Sequence, residues 1–441
     1  MSFRFLILFV AWLVSSYGHG EEMDLDILMS GFSEDGPEAS KSSFESTKHK
    51  PWSLDGYLDF ELVWNTETPD AEGGDFSGLS HTRAHFKPEL SYRRDRADEF
   101  FISLDTYYDA IFLSKPSGDF TPEYVKDTRD QFELGKAYYQ ATLGSVDIKV
   151  GRQINIWGEA ENVRVVDVIN PIDSREIAMV DLESLRLPVG AAFASFYKGH
   201  WSLEAGVIWE FREDKMPVYG SDFSPLEQPP PPDEKPDPGE ELGYTLAVRG
   251  ILGGGDIGFY YADARHHQSV FDLEKRKMIY PEFEMMGASY ARVSGSWVWR
   301  AELAYLEDVY EPGLSVANNR WDAMVGAEYY GSHNNTVTLE YAQRRYLDEE
   351  SKQWGIRRKR DEIVCRYSQS FMREKLALNA FVLADSISDD SLLSRISITY
   401  KPADGWSTEF GGVIYQSDYS ESYISVVDDN DRVYWRVRYD F

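Results

Sequence analysis

The sequence predicts an all-β fold, a transmembrane antiparallel up-and-down barrel of about eighteen strands with one loop folded inward. Three observations carry this. From Pro51 onward, segments of ten to fifteen residues alternate apolar and polar side chains with a period of two, as strands with one greasy face do. Short connections alternate with long ones along the chain. The chain ends on an alternating strand closed by an aromatic residue, Phe441.

Composition is compatible with that class. The mean hydropathy of -0.45 taken alone reads as soluble, but alternation hides an apolar band in the average. Aromatic residues form 15% of the 441, with 28 Tyr and 12 Trp, and barrels gather such rings at both membrane interfaces. A single cysteine, Cys365, excludes an internal disulfide and any multi-cysteine metal site. A net charge of -30 argues against nucleic acid as a partner.

Residues 1–20 have a basic start at Arg4, an apolar run from Phe5 to Val14, then small and polar residues. This reads as a cleaved secretory signal, since a spanning helix needs about 20 apolar residues. Residues 21–50 are polar, acidic and without periodicity, a pattern expected of a disordered periplasmic tail. The barrel takes the remainder, 51–441.

Alternation places the strands at 53–64, 81–93, 98–112, 131–143, 145–154, 189–198, 201–211, 242–251 and 254–264, then at 283–294, 297–307, 320–331, 335–345, 360–370, 374–385, 391–401, 405–416 and 432–441. Every second connection is short, as at 94–97, 144, 199–200 and 295–296, whereas 65–80, 113–130, 155–188, 212–241 and 265–282 are long. Short periplasmic turns opposite long outer loops are barrel topology, and a β-sandwich has no reason to show them. The last strand sets Val433, Trp435, Val437, Tyr439 and Phe441 against Arg432, Arg436, Arg438 and Asp440. Trp299 and Leu303 oppose Arg300 and Glu302 in the same way. In a barrel the apolar set faces lipid and the charged set lines the lumen. Trp201 and Trp209, eight residues apart, span about 26 Å of strand, enough for each to approach one interface.

The connection 155–188 is unlike the others. Val163, Val165, Val166, Val168 and Ile169 make it too apolar for a solvated loop. Asn170-Pro171 marks a turn, and Asp173-Ser174-Arg175-Glu176 has the spacing of a capping box, which predicts a short helix to about Leu185. A loop that must bury its own valines on a wide barrel is expected inside the lumen, the alternative being an external cap. Its polar and aromatic residues Arg152, Trp157, Glu159, Arg164, Asp167, Asp173, Arg175 and Glu176 are the candidate constriction or gate.

The order Gly151-Arg152-Gln153, Trp157-Gly158-Glu159 and Asn170-Pro171-Ile172-Asp173 resembles the signature of a large family of outer-membrane barrels of unassigned function. More distantly the chain is similar to eighteen-stranded alginate-export-type barrels. The resemblance implies transport or export across the outer membrane without fixing a substrate. An arginine-dense track of the kind a polyanion such as alginate requires is not evident.

The predicted lumen face carries both signs. Arg83, Arg249, Arg300, Arg344, Arg366, Arg395, Arg436 and Arg438 stand against Asp55, Asp59, Asp105, Glu204, Glu302, Asp322, Glu328 and Glu340. Such charges either staple the wall as cross-strand pairs or select solutes. His81 and His85 share this face without further ligands at metal spacing, and no cofactor motif is read. No G-x-S-x-G nucleophile motif is present. The Pro-rich stretch 228–238 is expected to be an extended surface excursion.

The sequence therefore leads to a Gram-negative outer-membrane channel for passive diffusion or export of a solute. A polysaccharide export pore working with periplasmic partners is the alternative within transport. An outer-membrane enzyme or a structural barrel displaying its loops are alternatives of other classes. The expected partners are outer-membrane lipid and lipopolysaccharide, and the barrel-assembly machinery through the C-terminal strand.

Overall fold

The computed structural model describes residues 51–69, 73–94, 98–179, 185–237, 242–272, 276–310, 317–332, 334–347, 359–385, 391–418 and 422–441. The expected signal (1–20) and tail (21–50) lie outside these residues.

Eighteen strands form one closed antiparallel sheet. They are β1 (Trp52–Asn65), β2 (Gly78–Arg93), β3 (Asp98–Asp109), β4 (Asp130–Leu143), β5 (Val146–Gln153) and β6 (Val189–Lys198). Next come β7 (Trp201–Ile208), β8 (Gly243–Leu252), β9 (Gly255–Arg265), β10 (Glu282–Ser294), β11 (Trp297–Tyr310) and β12 (Ala317–Gly331). The last six are β13 (Asn335–Tyr346), β14 (Lys359–Phe371), β15 (Leu376–Ala384), β16 (Ser391–Ala403), β17 (Trp406–Ser417) and β18 (Arg432–Asp440). Each pairs with its neighbour in sequence, and β18 closes the barrel on β1 with Tyr57 opposite Asp440 and Asn65 opposite Arg432. All eighteen predicted strands are present, most with ends within three residues of the expected ones. The alternation of short and long connections holds around the whole barrel, and left-handed glycines such as Gly144 (φ 67°) and Gly295 (φ 60°) make the tight turns.

Side-chain direction follows the period of two. On β11, Trp299 and Leu303 are exposed on the outer surface, while Glu302, Ala304 and Leu306 are buried inside. On β1, Leu58, Phe60 and Trp64 face out, and Asp59, Glu61 and Val63 face in. A slip of one residue would put these carboxylates in lipid, so burial fixes the register. Trp201 and Trp209 are both on the outer face, with Trp209 just past the end of β7.

The long-loop side carries structure that alternation did not announce. Within 113–130 a helix, α1 (Pro122–Thr128), starts on Thr121, whose side chain accepts from the Tyr124 N–H. The signal was present: Thr before Pro at the first helical position, followed by Glu123, is a helix start. Phe120 and Tyr124 then pack with Phe76 in an aromatic cluster. In the Pro-rich stretch, which is exposed as expected, Asp233–Glu234 pairs in parallel with part of Lys277–Ile279, and the latter also pairs with Val270–Asp272.

Candidate functional site

The connection between β5 and β6 turns into the lumen. Trp157, Val163, Val165, Val166 and Ile169 are buried against the inner faces of β6 to β14, among Ala262, Phe283, Met285, Leu306 and Met324. Burying each such side chain is worth about 1.5–3 kcal/mol, which the outer face, committed to lipid, does not offer. Further along, Ile177, Ala178 and Met179 pack on Val63, Leu393, Val413, Tyr415 and Tyr434 of β1 and β16–β18. The segment therefore crosses the pore from one wall to the other.

Its first limb is held by two wall carboxylates acting on backbone. Glu302 of β11 accepts the N–H groups of Glu159 (2.5 Å), Ala160 (2.8 Å) and Val166 (3.3 Å). Glu340 of β13 accepts those of Glu161 (2.8 Å), Asn162 (3.0 Å) and Val163 (3.2 Å). Carboxylate-to-amide bonds are charge-assisted and stronger than neutral ones. Gly158, at φ 89°, lies where an added Cβ would run into Glu302 Oε1 and Val166 Cγ2. Trp157 beside it stacks obliquely on Tyr260 at 5.1 Å.

The entrance and exit of the segment are tied together. Asn170, fully buried, accepts the Asn155 N–H (2.9 Å) and donates to Gln153 O (3.4 Å) and Leu187 O (2.9 Å). Gln153 donates to Ala191 O at 2.8 Å. Arg152 donates to Leu134 O at 2.8 Å and pairs with Glu210 at 3.3 Å. Asp167 holds Arg186 at 2.7 Å and Arg164 at 3.3 Å, and Arg164 also donates to Asn170 O. These residues shape the segment rather than project into open space.

At the far limb the expected capping box is not used. Asp173 makes an isolated bridge to Lys215, residues 175–179 are bends and a turn without helix, and 180–184 of the expected helix lie outside the described residues. The physical reason is competition for the two carboxylates. Asp173 binds Arg175 through both oxygens (3.0 and 2.7 Å), and Glu176 binds Arg83 of β2 at 2.7 Å. Arg175 also donates to Tyr107 Oη and Gln131 Oε1, both at 3.1 Å. Tyr415 Oη donates to Ile177 O and Arg395 to Ala178 O.

Every charge assigned to the lumen from sequence lies on inward parity, and most are stapled. Arg300 pairs with Glu161 (2.7 Å) and Glu328 (2.5 Å), Arg249 with Glu204 (3.5 Å), and Arg436 with Glu61 (3.0 Å). Asp322 takes Arg320 at 2.7 Å. Arg438 lies over Tyr57 at 3.9 Å and meets Asp440 at 2.7 Å. Glu302 is 4% exposed and Glu340 0%, so both are roofed by the segment rather than lining a water path. Arg366 is half-buried and makes no hydrogen bond or ion pair among the described residues. His81 Nδ1 meets Asp109 at 2.6 Å, and His85 faces Asp59 at 3.8 Å.

Two acids of the first limb are pushed upward. Burial, reinforced by Asp256 and Glu302, pushes Glu159 up to about 7. Burial also pushes Glu161 up to about 7, with Glu328 adding to it and Arg300 opposing.

Beside the far limb, against β1–β4, remains a cavity of about 110 Å³ lined by Tyr57, Asp105, Tyr107, Asp127, Arg175 and Glu176 among others.

A family model described as "Protein of unknown function (DUF1302)" matches residues 72–441. No curated protein matches the chain. Among solved structures it is similar to Pseudomonas aeruginosa OccK2 (OpdF) in complex with glucuronate, at 10% identity and a TM-score of 0.53, over 88% of this chain and 98% of that one. Acinetobacter baumannii OccAB3 gives 11% and 0.53 over 88% and 99%. Pseudomonas aeruginosa OpdK with vanillate gives 9% and 0.53 over 88% and 98%. At such identity the likeness is one of fold.

Proposed function

The chain belongs to the DUF1302 family, and we propose that it is a passive channel of the Gram-negative outer membrane for a small polar solute, narrowed by residues 154–188. The observation that carries the reading is the segment pinned across the lumen by Glu302, Glu340 and Arg83, with a small polar cavity left beside it. A wide barrel filled in this way keeps a selective path instead of an open one. The fold it shares with the Occ outer-membrane barrels supports the location, and two of those structures hold small organic solutes, glucuronate and vanillate. The polysaccharide-export reading requires the whole segment to leave the lumen, against six charge-assisted amide bonds. The enzyme reading gains little from the His81–Asp109 pair, because the other ring nitrogen of His81 faces Glu176 at 3.8 Å rather than a hydroxyl.

Phe441 donates its N–H to Gly56 O at 3.0 Å and stacks near Phe86 at 6.0 Å. Its place at the end of the seam strand suits recognition by the barrel-assembly machinery. The outer apolar belt suits lipid, and the long acidic loops suit a lipopolysaccharide surface. The test of function is single-channel recording of the purified chain in planar bilayers. Discrete, long-lived conductance steps are expected, and a folded barrel without them would overturn the reading.

A further inference from the structure

The cavity beside the far limb is small and unbalanced in charge. Its volume of about 110 Å³ gives room for about four waters. Residues 173–176 bound it on one side, α1 with Pro217–Asp222 on another, and the inner faces of β1–β4 on a third.

The two arginines that line it are already committed. Arg83 is matched by Glu176 at 2.7 Å, and Arg175 by both oxygens of Asp173. Asp222 is matched by Arg432 at 3.1 Å. His81 and His85 each face a further carboxylate, Asp109 and Asp59, so neither supplies surplus positive charge. One carboxylate is left over, and a second is only loosely met. Asp105 makes no hydrogen bond or ion pair among the described residues. Asp127 meets only the Nη1 of Arg175, at 3.6 Å, while the Nε and Nη2 of that arginine hold Asp173 at 3.0 and 2.7 Å. Burial pushes Asp127 above the usual carboxylate range despite that arginine, as expected for an acid short of counter-charge.

Hydroxyls are left over as well. Tyr124 is 4% and Thr128 6% exposed, both line the cavity, and neither side chain has a hydrogen-bond partner for its hydroxyl among the described residues. Neither hydroxyl is sealed off without access, so what opening each has is consistent with the cavity itself. Buried polar groups without partners are costly and are ordinarily met by water or a ligand.

We propose that this cavity is a binding site for a small solute bearing an ammonium group and a hydroxyl. Asp105 and Asp127 take the charge, and Tyr124 and Thr128 take the hydroxyl. An ammonium group supplies three donors and no acceptor, which suits two acids short of partners. A carboxylate solute would meet them as a like charge, and a neutral polyol would leave them uncompensated. The site deepens the channel reading and rests on it only for the route by which solute arrives.

The test is saturation-transfer NMR on the detergent-solubilised full chain with ethanolammonium, glycerol and acetate, with bilayer recording on the same preparation. Ethanolammonium is expected to bind at least about tenfold more tightly than the other two. Asp105→Asn, alone and with Asp127→Asn, should remove that preference, while Tyr124→Phe, which deletes one hydroxyl, should weaken ethanolammonium and glycerol alike. Acetate or glycerol binding as tightly as ethanolammonium, absence of binding by all three, or full preference in a folded Asp105→Asn variant overturns the site. Selective binding without conductance keeps the site and removes the channel reading. Conductance without selective binding keeps the channel and removes the site.

Discussion

Glu302 on the barrel wall and Glu159 in the lumenal segment meet through backbone, the Glu159 N–H donating to Glu302 Oε1 at 2.5 Å. Two acidic residues 143 positions apart, which would repel as side chains, thus become a direct tie between loop and wall. Glu302→Ala leaves three amides without their acceptor, at about 1–3 kcal/mol for each that stays buried. The barrel should still form, and limited proteolysis should newly cut between residues 157 and 169.

Gly158 makes that tie possible. With φ 89° and Glu302 Oε1 in the space of a Cβ, Gly158→Ala should loosen the same limb by about 1–3 kcal/mol. Protease sensitivity like that of Glu302→Ala is the expected result. A variant as resistant as wild type would mean the glycine is not required for the approach.

The far limb depends on Arg83 and Glu176, whose side chains are 11% and 17% exposed. Arg83→Ala strands a buried carboxylate and should cost about 3–5 kcal/mol, with the double variant Arg83→Ala, Glu176→Ala recovering part of the loss. Thermal unfolding of all three variants gives the coupling. Strict additivity would show that the pair does not act as a unit.

Docking of the first limb should weaken as pH rises. Glu159 and Glu161 titrate near 7 when docked and near 4.5 when free in water. Between those values the docked form holds more protons than the released form, so each step up in pH favours release, and the full penalty is present above 7. Current fluctuations should grow from pH 5 to pH 8, and Glu159→Gln with Glu161→Gln should flatten the dependence.

The barrel was legible because each strand writes its two faces into alternating residues, and Trp299 beside Arg300 needs no distant partner to be read. The inward turn of the 155–188 connection, seen in its described residues, was legible through its valines, which have nowhere else to go. The anchors were not. Glu302 and Glu340 read as ordinary lumen charges, since their partners are backbone amides that every residue carries. The capping box expected at Asp173 and Glu176 goes unused for a related reason. A capping box competes with a local ion pair at Asp173 and a long-range one at Glu176, and only the fold brings Arg83 within 2.7 Å of Glu176. Helix α1 has a local signal in Thr121-Pro122-Glu123, but it is one turn inside a long loop without apolar periodicity.

The central claim is that residues 154–188 narrow a water-filled barrel from within. Replacing 159–186 by a short Gly-Ser linker removes the valine face, both limbs and the amide ties, while every barrel strand remains. Single-channel conductance of that variant is the direct measurement, with heat-modifiable migration confirming the fold. A folded barrel with markedly higher conductance is expected. A folded barrel with unchanged conductance would contradict it.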